Sequence, residues 1–204
     1  VVKGSANLAR HIANVKKFGV PVVVAVNHFE ADTAAELEAV SAAARAQGVE
    51  SFVCTHWRDG GAGAQGLAQN VVALCESGTA QFKPLYPDDM PLWDKVHTVA
   101  TSLYGASEIT ADVNIRQRFR DLHIEGFGHL PVCIAKTQYS FSTDPNLKGA
   151  PSGHAVAIRE VRLSAGAEFV VVITGDIMTM PGLPKTPAAS TIRLNERGEV
   201  EGLF

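Results

Sequence analysis

Phe18-Gly-Val-Pro-Val-Val-Val-Ala-Val-Asn-His-Phe29 is the stretch on which the fold turns. Val20–Val26 is a continuous apolar run without alternation, which suits a strand covered on both faces, as in a parallel sheet. Before it, Leu8, Ile12 and Val15 recur at helical spacing, and Gly19 stands where a helix C-terminal glycine belongs. After it, Asn27–Ala31 reads as a loop. Thr33-Ala-Ala-Glu36 is a capping-box pattern, in which hydroxyl and carboxylate satisfy free amides at a helix start. Leu37, Val40 and Ala44 form the inner side of that helix, and Gly48 ends it. Val49–Thr55 reads as a second strand, His56–Gly63 as a second loop, and Gln65–Ser77 as a helix with Leu67, Val71 and Leu74 inward. The order α-β-α-β-α predicts parallel strands with right-handed crossovers.

Beyond Gly78 the pattern changes. Lys83–Pro91 holds three of the ten prolines and reads as a connector. Helices are expected at Pro91–Tyr104, with Leu92, Val96, Ala100 and Leu103 on one face, and at Asp112–His123. Leu130–Ala135 reads as a buried strand leading into the polar loop Lys136–Gly153. Strands follow at Ala155–Leu163, Glu168–Thr174 and Thr191–Leu194, with a proline-rich loop over Thr179–Pro187, and Gly198–Phe204 reads as a closing strand. The division expected is parallel-sheet βα units over residues 1–80 and a smaller α+β part over residues 81–204. Because Val1 is not an initiator methionine and leads almost at once into a helical segment, the sequence reads as a piece of a longer protein.

At 204 residues, 46% hydrophobic and 19% charged, the chain has the make-up of an ordinary globular protein. A net charge of −3 offers no overall pull toward nucleic acid or anionic membrane. The longest apolar runs fall far short of the roughly 20 residues that span a bilayer. Cys54, Cys75 and Cys133 form no CxxC pair and suggest neither a disulfide framework nor a zinc site; two of them sit in apolar contexts that suit buried thiols. A reducing, cytoplasmic compartment fits.

Ligands of open parallel sheets sit beyond the carboxyl ends of the strands. Two neighbouring units carry an aromatic at that level, Phe29 and Trp57, flanked by Asn27, His28 and Asp32 in one loop and by His56, Arg58 and Asp59 in the other. Such a pair can clamp a flat heterocycle, each stacking contact adding about 0.5–1.5 kcal/mol beyond area burial, with Asn27 or Asp32 on the ring edge. The same rings also read as packing residues that cover the sheet end, which from the pattern alone is the commoner case. Asp32 reads equally as part of the helix start. Gly60-Gly-Ala-Gly63 with Gly66 precedes a helix, but its lone GxGxxG match lies in the third βα unit, and GxxxxGK[ST] occurs nowhere. These glycines read as room for a ligand or a chain turn. Neither a histidine ligand pair nor an activated nucleophile marks a metal site or a catalytic residue. Lys136 and Lys185 are candidate anion contacts on polar or proline-stiffened loops, alongside a purely structural account of each.

Four segments together, Phe18–Phe29 with Asp32-Thr33, His56-Trp57 with Gly60-Gly61, Ile134–Phe141, and Met178–Lys185, resemble the C-terminal portion of formate–tetrahydrofolate ligase. The likeness runs the whole chain. It implies parallel-sheet βα units of a P-loop-type ligase without the P-loop itself, followed by a smaller α+β part. Members of that family form formyl phosphate from formate and ATP with Mg, then pass the formyl group to N10 of tetrahydrofolate. The resemblance assigns the pterin sandwich to Phe29 and Trp57, and the phosphate loop to an N-terminal region with no counterpart here. It also implies a homotetramer and an inactive isolated segment. Glu30 departs from the pattern, standing where a bacterial member has proline. A non-catalytic interaction or assembly module of a larger folate enzyme is the alternative.

Overall fold

The computed structural model describes residues 1–175 and 185–202. Most of the proline-rich loop expected over Thr179–Pro187, and the last two residues of the closing strand, lie outside the described residues.

The first half follows the expected alternation: helix α1 (Ser5–Lys16), strand β1 (Val24–Asn27), helix α2 (Ala34–Ala46), strand β2 (Ser51–Cys54), a single helical turn α3 (His56–Asp59), and helix α4 (Gln65–Glu76). β1 and β2 pair in parallel, Val24 opposite Ser51 and Asn27 opposite Cys54. Ile12, Val24, Val26, Ala44 and Val49 bury together between α1, α2 and β1. Thr33 caps α2 with its hydroxyl on the Glu36 amide, and Glu36 returns its carboxylate to the Thr33 amide, so the predicted capping box forms in full.

Two boundaries differ from expectation. β1 begins at Val24 rather than Val20. Pro21 has no N–H for a ladder, and the backbone just before it pairs elsewhere: the Gln81 amide donates to the Gly19 carbonyl at 2.7 Å and the Lys83 amide to the Phe18 carbonyl at 3.0 Å. The predicted loop His56–Gly63 contains the α3 turn and a 3-10 stretch, Gly60–Ala64.

Val71, expected inward on α4, is exposed, as are Val72 of the same helix and Val53 of β2. Among the described residues β2 has β1 as its single ladder partner, so its outer edge and the adjoining side of α4 have nothing to pack on.

The second half holds the larger core. Helix α5 (Leu92–Ser102) buries Leu92, Val96 and Ala100, and helix α6 (Val113–Leu122) buries Phe119 and Leu122. Both pack on a four-stranded mixed sheet of order β3-β5-β6-β4, with β3 at Glu108–Thr110, β4 at Val132–Ala135, β5 at Ala155–Ser164 and β6 at Phe169–Thr174. β3 runs parallel to β5 and β4 parallel to β6, while β5 and β6 are antiparallel with an irregularity between Ile158 and Glu160. A two-stranded ribbon, β7 (Arg193–Leu194) with β8 (Val200–Glu201), closes the described chain. β4 is less buried than its apolar sequence suggests, because it lies on the sheet edge; Cys133 faces outward there and is exposed, like Cys75 on α4, and Cys54 is the buried thiol.

Lys95 lies on the buried face of α5 and is 0% exposed. Its ammonium donates to the carbonyls of Asp88 (2.7 Å) and of Gly128, His129 and Leu130 (3.0 Å each). One cation thereby gathers the connector and the turn after α6. Desolvation lowers its pKa, and Asp88 and Asp89 offset part of that. Among the described residues no helix is long and apolar enough to cross a membrane.

Candidate functional site

The parallel register of β1 and β2 sets their carboxyl ends side by side, so the loops after them start at the same level. His28 extends the pairing by one bond, its amide donating to the Cys54 carbonyl at 3.0 Å. The chain then turns sharply. The Phe29 amide donates to Asp32 Oδ2 at 2.8 Å, and the Asp32 amide donates back to the Phe29 carbonyl at 2.9 Å. This reciprocal pair closes the turn under Phe29, while the cap of α2 is Thr33. Asp32 therefore braces the loop rather than the helix start.

The loop after β2 is braced on its own residues. Thr55 Oγ1 donates to Asp59 Oδ2 at 2.7 Å, and Arg58 Nε donates to Asp59 Oδ1 at 3.0 Å. These bonds hold the Asp59 carboxyl below the usual range, Arg58 contributing most and Thr55 next. Gly63 lets the following stretch fold back on this turn, since a Cβ there would lie 2.5 Å from the Thr55 carbonyl carbon and 2.6 Å from the His56 nitrogen. The glycine run thus accommodates the chain's own reversal.

A side chain joins the two loops: the indole Nε1 of Trp57 donates to the His28 carbonyl at 2.6 Å. Phe29 remains 62% exposed and Trp57 50% exposed. Among the described residues neither ring stacks on another aromatic, and the Asn27 side chain makes no hydrogen bond. Exposed aromatic faces of this kind have stacking on flat heterocycles as their available chemistry.

The two candidate anion contacts differ in their surroundings. Lys136, at the end of β4, donates to the carbonyls of Thr137 and Ser140 in its own loop, and its ammonium lies 5.2 Å from the Tyr104 ring centroid. It lines a cavity of about 260 Å³ with His11, Tyr104 and Phe141. Desolvation lowers the Lys136 pKa; at His11 desolvation and then Lys136 lower it; burial raises the Tyr104 phenol to about 12. Lys185 is exposed, and the loop segment preceding it lies outside the described residues. Among the described residues no group of three or more His, Cys, Asp or Glu side chains has the arrangement to hold a metal ion.

One element of the site lies beyond sequence reasoning, and one in the core is only hinted at. The His28 carbonyl that receives the indole is a main-chain group with no residue signal. Lys95 does leave a trace, standing three residues after Leu92 and one before Val96 on what is otherwise the apolar side of α5.

A family profile described as formate–tetrahydrofolate ligase matches residues 1–204. The chain is 64% identical over 204 residues to the formate–tetrahydrofolate ligase of Granulibacter bethesdensis, covering 100% of this chain and 36% of the relative. To the ligase of Sinorhizobium fredii it is 62% identical over 202 residues, 99% of this chain and 36% of the relative. To that of Rhizobium rhizogenes it is 62% identical over 204 residues, with 100% and 36% covered. The chain thus spans about 36% of the length of these relatives.

Proposed function

Because this chain belongs to the formate–tetrahydrofolate ligase family, we propose that it supplies the tetrahydrofolate-binding part of an ATP-dependent ligase that makes 10-formyltetrahydrofolate from formate by way of formyl phosphate. The observation that carries this reading is the pair of exposed rings, Phe29 and Trp57, on loops tied by the Trp57–His28 bond. The rings stack on the two faces of the pterin, Asn27 hydrogen-bonds its edge, and Asp32 holds the Phe29 turn in the receiving shape.

In this reading the segment performs little acid–base chemistry. Its contribution is to fix N10 of the folate against formyl phosphate, and holding two reactants in register lowers a barrier by several kcal/mol. Lys136 and Lys185 are assigned to anionic groups of the ligands. ATP with Mg belongs to an N-terminal P-loop region of the longer enzyme, since this chain has no GxxxxGK[ST] sequence. The division near residue 80, a cytoplasmic homotetramer, and lack of turnover by this segment alone complete the proposal.

The test is Trp57→Ala in the complete ligase. The folate KM should rise well beyond any change in the ATP KM; equal effects on both, or none, would sink the clamp. A second reading, a non-catalytic assembly module, draws on exposed Val53, Val71 and Val72 beside β2. Calorimetric titration of the chain with tetrahydrofolate separates the two, since the assembly module takes up no folate.

A further inference from the structure

A cavity of about 490 Å³ opens between the start of α5 and α6, built from none of the residues assigned to folate. Trp93 and Phe119 form its aromatic wall, edge to face at 90° with ring centroids 5.6 Å apart. Ile124, 81% exposed, supplies apolar surface at the end of α6. Arg116, Arg120 and His123 line the same space. They recur at spacings of four and three, so they share one side of the helix.

Among the described residues the two guanidinium groups are not balanced by acids, and neither Arg116 nor Arg120 forms an ion pair. Arg116 lies over the Trp93 ring with its guanidinium carbon 4.4 Å from the centroid, and its Nε donates to the Ala111 carbonyl at 3.4 Å. Arg120 donates from Nε to Gln117 Oε1 at 3.1 Å. Both guanidinium groups keep terminal N–H donors for a ligand. The nearby carboxylates are engaged otherwise, Glu125 with Arg118 at 3.0 Å and Asp121 with Gln117 at 2.8 Å.

Helix electrostatics does not account for the cluster. A cation in the last turn, such as Arg120, is favoured by the helix dipole, but Arg116 sits near the positive N-terminal end of α6, and like charges four apart repel. The place of His123 is also built, because Gly128 packs against its ring where any Cβ would collide with Nδ1.

We propose that this cavity binds a small aromatic carboxylate. Its volume and mainly apolar wall with a few convergent polar groups match small-molecule sites. A flat ring lies against the half-buried Trp93 and the exposed Ile124, and its carboxylate takes the paired donors of Arg116 and Arg120, a geometry that guanidinium groups favour over any neutral partner.

The chain has two tryptophans, so Trp57→Phe leaves Trp93 as the sole indole reporter and removes the indole from the other aromatic surface. Into that variant of the full chain, 2-naphthoate and the uncharged 2-naphthalenemethanol are titrated while Trp93 fluorescence is followed. The expected result is saturable quenching by naphthoate, with the alcohol at least about tenfold weaker. Adding Arg116→Met or Arg120→Met should abolish the preference for the acid while the circular dichroism spectrum stays that of the folded chain. Equal binding of acid and alcohol, absence of saturable binding, or a preference that survives both substitutions would overturn the proposal. So would binding of an acidic, aromatic peptide where naphthoate fails, which would mark the cavity as a peptide site.

Discussion

Trp57 Nε1 donates to the main-chain carbonyl of His28 at 2.6 Å, so the loop after β2 is fastened to the loop after β1 by a side chain that still shows half its ring to solvent. The proposed pterin surface is therefore one unit. Disturbing either loop should be felt by both aromatic rings.

Trp57→Phe keeps a stacking face and loses the donor. A neutral hydrogen bond contributes about 1 kcal/mol, or roughly fivefold in affinity. Trp57→Ala loses the ring as well, about 1–3 kcal/mol more. Calorimetry with tetrahydrofolate should therefore rank wild type, Phe and Ala in falling order; Phe and Ala variants of equal affinity would make the bond, and not the stacking, the decisive contact.

Asp32→Ala removes the acceptor of the Phe29 amide but leaves the Thr33–Glu36 cap of α2 intact. Folate affinity should drop about fivefold, while the melting midpoint moves little. Asp32→Asn retains an acceptor oxygen and should lie close to wild type in the same titration.

At Gly63 an alanine methyl would collide with backbone at Thr55 and His56 as well as with the Thr55 hydroxyl. Gly63→Ala should lower the thermal midpoint and weaken folate binding together, since relief of the clash must shift the turn that carries Trp57. Gly61→Ala has open space around its Cβ and serves as the control, with both measurements near wild type.

Lys95→Met keeps the apolar stem of the lysine and leaves four carbonyls without their shared donor. Unsatisfied buried polar groups cost about 1–3 kcal/mol each, so even partial rehydration leaves a loss of about 3 kcal/mol. For a chain of this size that is roughly 6–12 °C in the melting midpoint. A fall of less than about 2 °C would mean that water replaces the ammonium at little cost.

His11 has a folded-state pKa held below 6.5, by desolvation first and Lys136 second. The unfolded chain therefore takes up this proton more readily than the folded one, and acidification through 6.5 favours unfolding. Urea midpoints measured from pH 7.5 to 5.5 should decline with falling pH, and His11→Gln should make that decline shallower. An identical slope in the variant would show that His11 is not the group behind the decline.

Much of the fold was legible in residue order. The Val20–Val26 run, the Thr33–Glu36 box and the helical spacing in α1, α2 and α5 each carry local physics: burial on both faces, end-group satisfaction, and one apolar side per helix. The shortfalls are equally local in origin. β1 starts late because Pro21 cannot donate and the connector takes the preceding backbone, and Val71 and the strand Leu130–Ala135 read as covered because an apolar residue looks the same at an open edge as in a covered centre.

The candidate site divides the same way. That Phe29, Trp57, Asn27 and Asp32 lie at neighbouring strand ends follows from the βα order alone, because parallel strands put successive carboxyl ends on one side. Whether the aromatic rings were buried cover or open surface, whether Asp32 served the helix or the turn, and what joined the two loops were tertiary matters. They depend on main-chain carbonyls and on solvent access, to which every residue contributes regardless of its side chain. A sequence names the groups that can bond; only the folded backbone decides which of them is left for a ligand.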